Sequence, residues 1–270
     1  MQSIRPAAVA GMFYPGNAAE LAHDVDGMLS AACAGAPNFV PKALIVPHAG
    51  YVYSGSIAAS AYCLLKPIAH RIGRVVLLGP THRVAVRGLA LPGVTTFATP
   101  LGSVAIDEAA VRQIAGLPQV TVNAQVHADE HSLEVHLPFL QRLLPQFTLL
   151  PLAVGMANAE QVAEVLEILW GGNETLIVIS SDLSHFLPYG AAMEVDGETA
   201  KAILALRQTV THEQACGGTP VNGLILAARR HHLTPHLLDL RNSGDTAGDK
   251  ARVVGYGAFA FTEDTVHERV

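Results

Sequence analysis

Short apolar runs alternate with longer amphipathic stretches from one end of this chain to the other. The runs at 43–46, 74–78, 89–91, 148–153, 176–180, 237–240 and 253–261 are rich in Val, Ile and Leu, as strands covered on both faces are. Between them, apolar residues recur at helical spacing over 18–32, 56–65, 108–115, 131–144, 159–170, 189–206 and 218–231, and Asp107 and Asn158 stand where N-caps belong. This alternation predicts an α/β fold with a mostly parallel central sheet flanked by helices. No fixed-period repeat, low-complexity tract or Pro/Ser-rich linker interrupts it, so residues 1–270 read as a single domain.

Three of the predicted strands break off into polar residues: ALIV-PHAGYVYSG, VVLL-GPTH and LIVIS-SDLSH. In open α/β sheets, ligand sites form where loops leave the carboxyl ends of strands. His48, His82, Asp182 and His185 are therefore expected to converge on one crevice. Small residues after His48 leave room around its ring. Asp182 and His185, three apart in a turn, can face the same side. Cys216, in ACGGTPVNG, precedes the predicted helix 218–231, whose N-terminus would favour the thiolate.

Composition narrows the function classes. Half of the 270 residues are hydrophobic, so a large core can be buried, and 17 basic against 23 acidic residues give a net charge of −6. With no Lys/Arg-rich run, a nucleic-acid surface is not expected. No apolar run approaches bilayer length and the first residues lack a secretory pattern, which makes a cytoplasmic protein without membrane association the expectation. Three widely spaced cysteines do not form a disulfide framework. Cys33 and Cys63, set among Ala and Leu, read as small packed hydrophobes. His70, His212, His231, His232, His236 and His267 fall at predicted helix ends or tails and are given no role.

The stretch HADEHSLEVH (127–136) contains H-x-x-E-H, the pattern of inverted zinc peptidases. That chemistry needs both histidines one turn apart on a helix. Here Asp129 or Ser132 reads as the N-cap of the 131–144 helix, which leaves His127 in the loop before it. The peptidase reading is set aside on that ground, and acidic residues at a helix start account for Asp129 and Glu130. Glu134 and His136 are assigned neither to the helix surface nor to a supporting link.

Taken in order, RPAAVAGMFYP, VPHAGYVYSGSIAASAY, LLGPTH, TPLGSVAID, DEHSLEVHLPFLQ, LPLAVG, SSDLSH, CGGTPVNGLILAA and NSGDTAGDKARVVGYGAFAF resemble the MEMO family, whose prokaryotic members are also called AmmeMemoRadiSam system protein B. The resemblance spans nearly the whole chain. It implies a fold related to class III extradiol ring-cleavage dioxygenases, with a metal pocket at one edge of the sheet. It also implies His48, His82 and Cys216 as metal ligands, and Asp182, His185 and His131 as pocket residues with an acid/base part, in which Asp182 would pair with His185 and fix its tautomer. The implied ion is iron or copper, with zinc as a contaminant on purification; a thiolate in place of the dioxygenases' carboxylate makes a softer site. Fold kinship alone does not establish ring cleavage.

Three functions compete. One is a non-haem, dioxygenase-like oxidoreductase acting on a small substrate, and Tyr51, Tyr53, Phe186 and Tyr189 would suit an aromatic or planar one. A second is an iron- or copper-binding protein without turnover. The third is an adaptor gripping a peptide or protein, with AMMECR1-like and radical-SAM proteins as the partners the resemblance implies.

Overall fold

The computed structural model describes residues 3–263, so His267 lies outside the described residues. The first half of the chain runs β1 (Ile4–Arg5), α1 (Ala18–Cys33), β2 (Pro41–Val46), α2 (Tyr51–Tyr62), β3 (Arg74–Pro80), β4 (Leu89–Leu91), β5 (Thr96–Thr99), β6 (Gly102–Ala105), α3 (Glu108–Ile114), β7 (Val120–Val122) and α4 (Ala124–Ala128). It continues with α5 (Leu137–Leu143), β8 (Thr148–Val154), α6 (Ala159–Leu169), β9 (Thr175–Ser180), β10 (His185–Leu187), α7 (Tyr189–Leu204), α8 (Gly218–Arg230), β11 (Leu233–Asn242) and β12 (Val253–Glu263).

Nine strands form the main sheet in the order β10-β12-β2-β9-β3-β8-β4-β7, with β11 alongside β12. The four strands β2, β9, β3 and β8 are mutually parallel. Antiparallel β12 and β4 flank them, so the sheet is mixed, with its parallel part in the middle. The continuous apolar runs seen in the sequence belong to these middle strands, which alternate between two cores. Leu44, Val46, Val75, Leu77 and Val178 face one core with α1, α2 and α5, while Ala43, Ile45, Val76, Leu78 and Ile179 face the other with α6 and α8. A strand buried on both faces has no polar side to alternate with.

Asp107 and Asn158 do cap their helices, accepting from the amides of Ala110 and Gln161. The predicted helix 131–144 does not form as one element. His127 lies inside the short helix α4, a 3-10 turn covers Glu134–His136, and α5 begins only at Leu137, with neither Asp129 nor Ser132 as its N-cap. Pro138 sits in the first turn of α5, the one place a helix tolerates it. The reason for the broken course is Glu134. It is fully buried, and a carboxylate there must gather donors. Arg5 and the Tyr14 hydroxyl donate to it, as do the amides of Ala8 at 2.7 Å and Val9 at 3.0 Å. Arg5 also donates to the carbonyls of His127 at 2.9 Å and Glu130 at 2.6 Å. The N-terminal arm and the 127–136 segment are thus tied into one body, and irregular backbone is stabilised where a regular helix would be the default. Glu134 is a buried link and not helix surface.

Removing one partner of a buried ion pair leaves the other charged and unpaired, at a cost of about 3–5 kcal/mol. Glu134→Ala is therefore expected to lower the unfolding free energy by about that amount in chemical denaturation, with Arg5→Ala close behind. A loss below about 1 kcal/mol for both would show that the tie does not hold the segment.

Candidate metal centre

The loops after β2, β3 and β9 leave adjacent strands at their carboxyl ends, and this register brings the predicted residues together. His48 follows β2, His82 follows β3 and Asp182 follows β9. His131 joins them from the 127–136 segment, and one ligand atom each from His48, His82 and His131 lies within 4.8 Å of the others. Ring centroids are 5.2 Å apart for His48 and His82, 5.4 Å for His48 and His131, and 4.6 Å for His82 and His131. The Cys216 sulfur is 3.3 Å from His48 Nε2.

Two glycines let these loops close up. A Cβ on Gly79 would stand 2.9 Å from the Ser132 hydroxyl, and one on Gly217 would stand 2.6 Å from the Ser181 Cβ. Gly79 of GPTH and Gly217 of CGG are therefore required by close approach, the first against Ser132 and Leu133 and the second against Ser181, beside Cys216.

Hydrogen bonds fix which imidazole nitrogens carry protons. His48 Nδ1 lies 2.6 Å from the Ser180 hydroxyl, which donates its single proton to the Ser132 carbonyl at 2.6 Å. The hydroxyl must accept from Nδ1–H, so the lone pair of His48 is on Nε2, facing the sulfur. His82 Nδ1 donates to Glu130 Oε1 at 2.9 Å, again leaving Nε2 free. Glu130 Oε1 also lies 3.4 Å from His131 Nδ1 and accepts from the Ser132 amide at 3.0 Å. Burial works against its charge, but the hydrogen bonds from the His82 ring and amide and from Ser132 hold Glu130 down to about 2. Glu130 orients the His82 ring and lies beside that of His131. Sequence reasoning missed this, having read it as a helix-start carboxylate; its signal was the burial of E130 between two histidine motifs, which only the fold reveals.

Burial sets the other groups. It drives the His48 ring well below the usual histidine range and lowers His131 to about 4. Asp182 is pushed up to about 7 by burial, against hydrogen bonds from the amides of His48 and Ala49. Its Oδ1 accepts from the His48 amide at 2.7 Å, and Oδ2 is 4.0 Å from His48 Nε2. The expected Asp182–His185 pairing is thus replaced: Asp182 braces the His48 loop, and His185 Nδ1 donates instead to the Leu183 carbonyl at 2.8 Å. Cys216 is also corrected. It sits two residues ahead of α8, yet burial and nearby Asp182 push its thiol up to about 12, outweighing any help from the helix end.

His127 is not part of this group. Its Nε2 donates to the Ala90 carbonyl at 2.8 Å and its ring lies edge-on to Phe97 at 6.0 Å. The two histidines of H-x-x-E-H therefore serve different places, which removes the peptidase geometry. His136, also buried, meets the Tyr62 hydroxyl at 2.9 Å through Nδ1. A cavity of about 890 Å³ adjoins the centre, lined by His82, His185, Phe186, Leu187, Val195 and Cys216 among others. Phe186 is the aromatic residue that lines it; Tyr51 is turned inward, donating to the Val135 carbonyl at 2.7 Å, and Tyr189 donates to Asp245 at 2.6 Å.

A mixed α/β sheet that gathers imidazoles and a thiol at the carboxyl ends of its parallel strands defines a protein with a candidate transition-metal centre. The model of one family, described as Memo-like protein, matches residues 5–260, and the chain belongs to that family. MEMO1 family proteins of Aquifex aeolicus, Metallosphaera sedula and Aeropyrum pernix are 34%, 30% and 34% identical, over 96%, 96% and 94% of this chain and 99%, 99% and 98% of theirs. The crystal structure of an uncharacterized protein from Escherichia coli K12 has a similar fold, with a TM-score of 0.51 at 12% identity, covering 81% of this chain and 98% of that one. No helix among the described residues is long and apolar enough to cross a membrane.

The buried histidines make stability depend on pH. Burial lowers His127 to about 4, His131 to about 4 and His136 to about 3. An unfolded chain takes up these protons near its ordinary histidine value of about 6.5, so stability is complete above that pH and is lost as the pH falls toward 4. Glu130 acts in the same direction at lower pH, below the ordinary carboxylate range. Asp182, raised, acts oppositely between about pH 4 and 7 but is a single group. The Tm of metal-free protein should therefore fall from pH 7 to pH 4.5, and a flat profile would contradict the buried neutral imidazoles.

Proposed function

We propose that this chain binds one redox-active transition-metal ion, iron or copper, through His48, His82 and Cys216, with His131 as a further imidazole donor. We propose further that it acts with that ion on a small organic molecule held in the adjoining cavity. The observation that carries the reading is the donor set: imidazoles whose Nδ1 protons are committed to Ser180 and Glu130, converging with His131 and with a sulfur 3.3 Å from one free Nε2. Imidazole and thiolate together suit iron, copper and zinc, so zinc is a competitor during purification. When bound, such a cation supplies Lewis-acid polarisation and one-electron chemistry.

The chain's own residues set the conditions around it. Ser180 and Glu130 hold His48 and His82 in the metal-binding tautomer. Cys216 must give up its proton on binding, which couples affinity to pH. His185 lines the cavity and, with Nδ1 donating to the Leu183 carbonyl, keeps a lone pair on Nε2 that can accept a proton from a bound molecule, and Asp182 can hold one at Oδ2. Phe186, Leu187 and Val195 provide the apolar wall that displaces water.

One observation favours a second reading. Four protein donors leave fewer open positions than a catalytic site keeps, as in closed structural sites. The alternative is an iron- or copper-binding protein without turnover, in the company of AMMECR1-like and radical-SAM partners. Anaerobic loading separates the two. Wild type should bind one equivalent of iron or copper, His48→Ala and His82→Ala should lose it, and Cys216→Ser should weaken it at least about tenfold, while Cys33→Ser binds as wild type. Oxygen uptake with aromatic diols that vanishes in His185→Ala at unchanged metal content supports the enzyme. Stoichiometric metal with no uptake supports the binding protein, and equal metal content in all four variants would refute the assignment of the centre.

A further inference from the structure

Cys33 and Cys63 lie far apart in sequence and together in space, away from the candidate centre. Cys33 is the last residue of α1, and Cys63 is the first after α2, opening a 3-10 turn over Cys63–Ile68. The two helices pack against the same core. The Cys33 sulfur is 3.8 Å from the Cys63 carbonyl oxygen, and both cysteines are free. The Cys63 thiol donates to the Ser60 carbonyl at 3.4 Å, and burial, with the Cys33 thiol beside it adding to the effect, raises its cost of ionisation. Packing alone would be served by Ala or Val at either position; here two thiols meet, one half-buried and reachable, the other enclosed.

We propose that Cys33 and Cys63 are an oxidisable pair that closes to an intramolecular disulfide when the protein meets hydrogen peroxide. Cys33, the reachable thiol, attacks one peroxide oxygen as its thiolate; the O–O bond breaks, water leaves, and a sulfenic acid forms on Cys33. The Cys63 sulfur then attacks the Cys33 sulfur, the S–O bond breaks and a second water departs. Both thiol protons end in water, the pair loses two electrons and one peroxide is reduced to two waters. A low-molecular-weight thiol reverses the step by exchange.

The bond would tie the end of α1 to the end of α2, the helix that starts three residues after His48. It closes a loop of 30 residues, the difference between positions 63 and 33. Cross-links of that span stabilise by restricting the unfolded chain, and a Tm rise of about 5 °C is expected in a protein of this size. This inference stands apart from the metal reading and holds or fails without it.

The test uses the reduced full-length protein, treated with one equivalent of peroxide and quenched with an alkylating agent. Peptide mass mapping should recover a Cys33–Cys63 cross-linked peptide lacking two hydrogens, with the Tm increase abolished by dithiothreitol. Cys33→Ser and Cys63→Ser should each abolish the cross-link, and Cys63→Ser should leave a sulfenic acid on Cys33 that dimedone traps. Sulfinic acid on Cys33 in protein that still carries Cys63, or cross-links only through Cys216, would overturn the proposal. Wild-type mapping alone decides the matter should either serine variant fail to fold.

Discussion

A carboxylate with no access to water has to be met by donors, and in this protein that requirement organises the region around the candidate centre. Glu134 is the case in point. Arg5, Tyr14 and two amides of the N-terminal arm answer it, and Arg5 goes on to hold the carbonyls of His127 and Glu130. Phe13, in the same arm, packs its ring at a tilt against His131 with centroids 4.6 Å apart, and its carbonyl accepts the Tyr51 amide at 2.7 Å at the start of α2. The arm therefore touches both the His131 segment and the helix that follows His48. One buried charge accounts for why a stretch with helical periodicity is instead pinned as turns, and why His131 stands where it does.

From that anchoring the electrostatics of the centre follow. Ser180, shared between His48 and the Ser132 carbonyl, and Glu130, shared between His82 and His131, reach across from one loop to the next. The bonds to His48 and His82 orient those two rings and settle their tautomers, leaving the lone pair of each on Nε2. Burial lowers the His48 and His131 rings below the usual histidine range and so favours their neutral form, which is the protonation state a cation needs. The same burial holds a proton on Cys216 and favours one on Asp182, while Glu130, held low by its hydrogen bonds, is the ionised carboxylate of the site.

How far the sequence could be read differs between the strands and the segments beside them. The middle strands were legible because burial on both faces writes an unbroken apolar run, and β2, β3, β8 and β9 appear within one or two residues of expectation. The short strands β1, β5, β6, β7 and β10 carry no such run and were not legible; β10 pairs with β12 only at His185 and Leu187, with a register shift between them and Phe186 at a positive φ of 59°. His48, His82 and Asp182 were found because they follow strand ends. Glu130 and Ser180 were not, since their work depends on what the opposing loop brings.

The sequence by itself determined the class of fold, the crevice at the strand ends and the family, because apolar periodicity and ordered motifs are local and need no partner to be read. The tertiary structure decided the rest. Which histidine of H-x-x-E-H joins the centre, which carboxylate braces which ring, and whether a thiol at a helix start is ionised all depend on distance and burial. Those quantities are set by segments distant in the chain, as with His82 and Glu130 or His48 and Cys216, 48 and 168 positions apart. Only packing brings such groups out of water and within reach of each other.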